Sequence, residues 1–254
     1  MDLEVPSATL AALLLASTRA AGFIALAPPF NSNGIPRVVK GALALCIALV
    51  TFPYISGTLP EITAGFLVAG AVTEAVIGAA LGFVVQLLFS AVQLAGDLID
   101  VTGGFSLQPA YDPMSLTTQG VIGRLHYLLA ITLLFTSNGH LLLVRGFVTS
   151  YQGLPVGGSL PTDQLGSVLI SAFSLMFLAA LQIAGPLVAV LLLADVALAL
   201  LSKAAPALNI FAFGFPVKIM ITLTLLGLTF PLLPPALDGL LDSALDAMTS
   251  LRSG

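Results

Sequence analysis

Residues 86–126 read QLLFSAVQLAGDLIDVTGGFSLQPAYDPMSLTTQGVIGRLH, and the rest of the chain is organised around this stretch. It opens as the continuation of a long apolar run. It then carries Gln86, Gln93, Asp97 and Asp100, a Gly103-Gly104 pair, and Pro109 and Pro113 on either side of Tyr111 and Asp112. Polar groups within hydrocarbon are costly, so such a cluster is expected to face protein or water. Irregular backbone at membrane depth is tolerated only where protein buries it or where it lines a wet cavity. The stretch therefore predicts a helix that delivers an irregular loop into a passage or a protein interface.

The chain around it is too greasy for water. Of 254 residues, 58% are hydrophobic and 8% charged, with a mean hydropathy of +1.09; a soluble domain carries about 25% charged residues. An all-α integral membrane protein is the fold class implied. The net charge of −4 and the scattered basic residues exclude nucleic acid as a partner, because phosphate binding needs clustered Lys and Arg. Cys46 is the only cysteine, so no intrachain disulfide exists. Asp2 and Glu4 precede the first apolar run, whereas a cleaved secretory signal has basic residues there, so this run is read as retained.

Working outward toward the N-terminus, Ile62 to Val101 is apolar with little interruption. As one helix it would reach about 60 Å at ~1.5 Å per residue, so it is either two helices in a hairpin or one helix projecting well beyond the bilayer. Gly65, Gly70, Gly78, Gly82 and Gly96 recur along it, and small residues let membrane helices approach closely. Further upstream lie Ala8 to Pro29, interrupted by Arg19, and Gly41 to Leu59, joined by the breaker-rich 27–36 segment. Downstream, Val121 to Val148 is broken at Ser137-Asn138-Gly139-His140, and a Gly/Pro-rich loop, 151–163, leads to Leu165–Leu201 with Pro186 and Asp195 inside it. Pro206 ends that run. Ile210 to Leu233 follows, with Pro216 and Lys218 near its start. The tail, residues 237–251, places Asp238, Asp242 and Asp246 on one face of an amphipathic helix. The segments 27–36 and 205–216 rhyme weakly; two ordinary helical-hairpin turns account for this better than an internal duplication. Arg37 and Lys40 favour a cytoplasmic first loop, but Arg124, Arg145, Lys203 and Lys218 choose no side.

Taken in order, several short motifs resemble one family. They are Arg19 with Ala27-Pro28, then Ile35-Pro36 and Lys40, Gly78-Ala79-Ala80-Leu81-Gly82-Phe83 with Gln86, and Ala95-Gly96-Asp97 leading to Gly104-Phe105-Ser106 and Asp112-Pro113. Asn138-Gly139-His140-Leu141, Leu154-Pro155-Val156-Gly157-Gly158, and Ala205-Pro206 with Gly214-Phe215-Pro216 complete the set. The chain resembles the FliR family, the flagellar export-gate subunits of type III secretion, whose injectisome relatives are T-subunits. Thr102-Gly103 departs from the Gln-Met that the family often has ahead of the central glycine.

The resemblance implies helical hairpins with long kinked helices, one integral domain over 1–254, and assembly into a helical export-gate cone in the bacterial inner membrane. It implies FliP-type and FliQ-type partners, an FlhB-type switch subunit, unfolded secreted flagellar proteins as cargo, lipid contact, no cofactor and no enzymatic activity. By position, the loop that plugs the closed channel in similar subunits is here Gly103, Gly104, Phe105, Ser106, Leu107, Gln108, Pro109, Ala110, Tyr111, Asp112 and Pro113. Arg19, Glu74, Gln86, Gln93, Asp97, Asp100, Asn138 and His140 are the candidates for channel-lining or inter-subunit polar residues.

Each has a plainer reading. Arg19 either pairs with an acid of a partner subunit or snorkels and caps a helix end. Glu74 is read as hydrogen-bonded to a neighbouring helix, without a switching role. Asp97 and Asp100 share a helix face and either line a channel entry or solvate a helix end. Phe105 and Tyr111 are gasket residues or ordinary loop packing. His140 is read as satisfying a kink, since a zinc site needs more ligands than His126 adds. Asp195 accepts a bond freed by Pro186. An injectisome subunit is the alternative within the family. An ion-coupled transporter with Glu74, Asp97 and Asp195 as a carboxylate relay is the alternative outside it.

Overall fold

A computed structural model describes residues 7–32, 34–55, 62–105, 120–158, 162–205 and 210–250. Among these residues the regular structure is helical. The elements are α1 (Ser7–Leu26), α2 (Arg37–Thr51) with a 3-10 turn (Phe52–Tyr54), α3 (Ala64–Gly103), α4 (Val121–Thr136), α5 (Gly139–Gly153), α6 (Thr162–Ala204), α7 (Ile210–Leu226), a second 3-10 turn (Phe230–Leu232) and α8 (Leu233–Ser250). Among the described residues, α1, α2 with its turn, α3 and α6 are long and apolar enough to cross a bilayer. The pairs α4/α5 and α7/α8 reach that length only as bent spans, with bends of 76° and 45°. The chain is an all-α membrane protein.

Of the two readings of the Ile62–Val101 run, the single helix is correct. α3 is continuous over 40 residues. No proline interrupts it, Thr63 caps its start by accepting the Phe66 N–H at 3.1 Å, and it stops where Gly104 adopts φ +86°. That left-handed conformation is one only glycine reaches freely. The last apolar run differs from expectation. α7 ends at Leu226 rather than Leu233, and α8 starts at Leu233, four residues before the expected tail. Pro231 sits at the start of the 3-10 turn, and Pro234 and Pro235 occupy the first turn of α8, where a missing N–H costs little. Asp238, Asp242 and Asp246 are exposed on α8 while Leu237, Leu240, Leu241 and Met248 are buried, as the amphipathic pattern requires.

The break inside the Val121–Val148 run falls where the Ser-Asn-Gly-His segment places it. Asn138 has φ 58° and ψ 18°, a region that asparagine tolerates better than most residues. Asn138→Ala is expected to cost about 1 kcal/mol and Asn138→Gly almost nothing, measured as the shift in thermal midpoint of the detergent-solubilised protein.

The chain forms two compact units, residues 1–88, 138–173 and 241–254 in the first and 89–137 with 174–240 in the second. The first unit is built on a seam between α1 and α3. Gly70, Glu74, Gly78 and Gly82 recur every four residues and so share one face of α3. A Cβ on Gly78 would overlap the backbone of Arg19, one on Gly82 would lie 2.6 Å from the Phe23 carbonyl oxygen, and one on Gly70 3.2 Å from Leu15. Contact positions rise together on both helices, so α1 and α3 run parallel. α5 joins them through Phe147, 4.7 Å from Phe23 between ring centroids, and Tyr151, edge-on to Phe147 at 5.5 Å.

Candidate functional site

Two polar clusters stand out, one in each unit. In the second unit, α3 and α4 meet backbone to backbone, because a Cβ on Gly96 would lie 2.6 Å from the Gly123 Cα. α4 has a glycine, Gly120, at its N-cap and hence no side chain to satisfy its first amides. Asp100 of α3 does so instead. Its carboxylate accepts the Ile122 N–H at 3.0 and 3.2 Å and the Gly123 N–H at 3.0 Å. These are the amides an N-cap side chain normally serves, and the positive end of the helix favours the carboxylate's charge. Asp97, one turn earlier, has a buried Oδ1 with no hydrogen-bond partner among the described residues. A Cβ on Gly120 would overlap the Asp100 carboxylate, and one on Gly123 that of Asp97. The Asp-x-x-Asp pair and the Gly-x-x-Gly pair thus fit each other as a clasp.

This clasp holds the end of α3 against the start of α4. His126 sits one turn below, fully buried. Its Nδ1 lies 3.0 Å from the Ile122 carbonyl and its Nε2 3.4 Å from the Thr229 hydroxyl, which in turn donates to the Leu226 carbonyl at 2.7 Å. α4 is thereby tied to the corner between α7 and the second 3-10 turn. At the other stem, Gly103 lies against Thr222 and Gly104 against Phe215.

In the first unit, Arg19 and Glu74 form an ion pair at 2.5 Å, both side chains fully buried. The acid that Arg19 meets is therefore in its own chain. Its guanidinium lies 4.2 Å above the Tyr151 ring centroid, and the Tyr151 hydroxyl donates to the Ala16 carbonyl at 3.0 Å. Glu74 also accepts the Gly157 N–H at 3.0 Å, which fixes the 154–158 loop. Gln86 accepts from Asn31 at 2.8 Å, and Lys40 donates to the Asn31 carbonyl at 2.9 Å, so this trio holds the loop after α1.

Of the remaining predicted residues, Gly103, Gly104 and Phe105 are described, whereas Ser106, Leu107, Gln108, Pro109, Ala110, Tyr111, Asp112 and Pro113 lie outside the described residues. His140 is partly buried in the first turn of α5, and Asn138 is the exposed left-handed residue before it. Asp195 does not serve Pro186. It pairs with Lys218 at 2.7 Å, because α7 brings that cation to the same level. Glu74 and Asp195, two of the three acids a transporter relay would need, are thus each held by a cation of their own unit. Sequence reasoning missed Gly120, Gly123, Thr229, Tyr151 and the pairing role of Lys218. The matching three-residue spacings of Asp97/Asp100 and Gly120/Gly123 were the one available signal.

The sequence profile of the family described as bacterial export proteins, family 1, matches residues 10–244. The chain belongs to that family. Flagellar biosynthetic protein FliR of Escherichia coli (strain K12) is 33% identical over 235 residues, which is 92% of this chain and 90% of that protein. The protein of the same name from Bacillus subtilis (strain 168) is 31% identical over 85% of this chain and 84% of its own length. That from Aquifex aeolicus (strain VF5) is 27% identical over 92% and 90%. Both clusters of this family 1 export protein, the α3–α4 clasp and the Arg19–Glu74 pair, lie inside the matched residues.

Proposed function

We propose that the protein is a structural subunit of the flagellar protein export apparatus, a multi-pass protein of the bacterial inner membrane that hydrolyses nothing itself. The observation that carries this is the near end-to-end similarity to proteins named for flagellar biosynthesis. Residues 1–254 act as one export-gate body, assembled with FliP-type, FliQ-type and FlhB-type subunits into a helical cone that passes unfolded flagellar proteins. Residues 103–113 plug the channel at rest, and Gly104, at φ +86°, is the pivot on which the plug turns. The α3–α4 clasp supports this reading, since it holds together the two helix ends between which residues 104–120 run. Asp97 and Asp100 act at the loop's base, and Arg19, Glu74 and Gln86 hold the helices that carry it.

Deleting residues 103–113 is expected to let small molecules leak through the closed gate while the subunit still assembles, read by dye or ion influx in cells that carry the complex. Cells that keep a tight membrane and export normally would rule out the plug.

A further inference from the structure

The Lys218–Asp195 pair is set in an apolar surface. Within the second unit α6 is buried along one narrow stripe, Met176, Ala180, Ile183, Ala184, Leu187 and Leu191, and is open around most of its circumference. Lys218 of α7 reaches Asp195 with contacts of 2.7 and 3.0 Å, yet the Asp195 side chain stays 45% exposed while that of Lys218 is 14% exposed. Leu192 and Val196 beside it on α6 are exposed. A carboxylate set in an apolar surface is costly unless it is paired, and Lys218 covers one side of this one while leaving the other open.

Lipid is a poor occupant for this face. α6 has 43 residues, about 65 Å at ~1.5 Å per residue, whereas the hydrocarbon core is about 30 Å thick. A tilt of about 40° does not remove the mismatch, so protein must cover much of the helix. We infer that the face of α6 around Asp195 docks an apolar helix of another membrane protein that presents a cationic or hydrogen-bond-donating side chain to the open side of the Asp195 carboxylate. The complementarity is specific. The apolar rim of Leu192 and Val196 seals a single acceptor, and a donor in an otherwise apolar helix has one register in which it is satisfied. The inference rests on the reading of the chain as an assembled subunit.

The test exchanges the two charges in the full chain, expressed with its own export machinery. Asp195→Lys with Lys218→Asp keeps the internal pair but turns the open group from acceptor to donor. The subunit is expected to stay monodisperse in detergent while its membrane complex falls at least ~10-fold on native gels. Asp195→Leu with Lys218→Leu removes both charges together, so that neither is left unpaired, and is expected to lose the complex likewise. A photoreactive residue at Leu192 should crosslink to a membrane-helix peptide containing Lys, Arg, Ser, Thr, Asn or Gln, and the exchange should abolish that product. Wild-type assembly of either double variant overturns the polar contact alone. Crosslinking to lipid only overturns the contact and the assembly reading together.

Discussion

Arg19→Leu is expected to destabilise the first unit by about 3–5 kcal/mol, because it strands the Glu74 carboxylate inside the protein. Both side chains are fully buried and 2.5 Å apart. Removing the arginine also removes the cation lying 4.2 Å over Tyr151, a contact worth up to ~2 kcal/mol when desolvated. Arg19→Leu combined with Glu74→Leu should cost less than either change alone, since neither charge is then left unpaired. The Arg19 Nη1 and Nη2 atoms are buried without hydrogen-bond partners, so the double variant gives up no bonds there. It does give up the Glu74 acceptor of the Gly157 N–H. The measurement is a double-mutant cycle on thermal midpoints in detergent. Additive single effects would show that the two side chains do not act as a pair.

Asp100→Ala is expected to part the end of α3 from the start of α4. The Ile122 and Gly123 amides lose their acceptor, at about 1–3 kcal/mol for each buried group left unsatisfied. In cells the expected result is leakage similar to that of the 103–113 deletion. Two roles of Asp100 then have to be separated, capping α4 and tying it to α3. Adding Gly120→Ser to Asp100→Ala gives α4 a cap of its own. Gly120 has φ −62° and ψ 150°, the extended conformation an N-cap residue takes, and Asp100→Ala removes the carboxylate that a residue-120 side chain would strike. The double variant should regain thermal stability but not tightness. Recovery of both would show that Asp100 caps a helix and nothing more.

What the sequence revealed followed the range of the forces involved. Local signals were readable. Asn138-Gly139 announced a break that one left-handed residue produces, and the Asp238/Asp242/Asp246 spacing announced the exposed face of α8. The continuity of α3 was not readable. A glycine in an apolar run punctuates a chain as readily as it packs one, and only the approach of α1 to Gly78 shows which use applies. Partner choice was also hidden. Arg19 and Glu74 are 55 residues apart and Asp100 and Ile122 are 22 apart, and no periodicity links them. Asp97 and Asp100 share one face in the sequence pattern, but the fit of their carboxylates against α4 depends on two glycines whose lack of a side chain carries no pattern of its own.

The bend at Asn138 has a bearing on sidedness. α4 and α5 have 16 and 15 residues, about 24 and 22 Å at ~1.5 Å per residue, so neither traverses the leaflets unaided. If the four long helices each traverse once, the two termini share a compartment. Every folded-back pair that also goes through reverses that parity, so reporter tags on the two termini would fall in opposite compartments only if one pair threads and the other turns back.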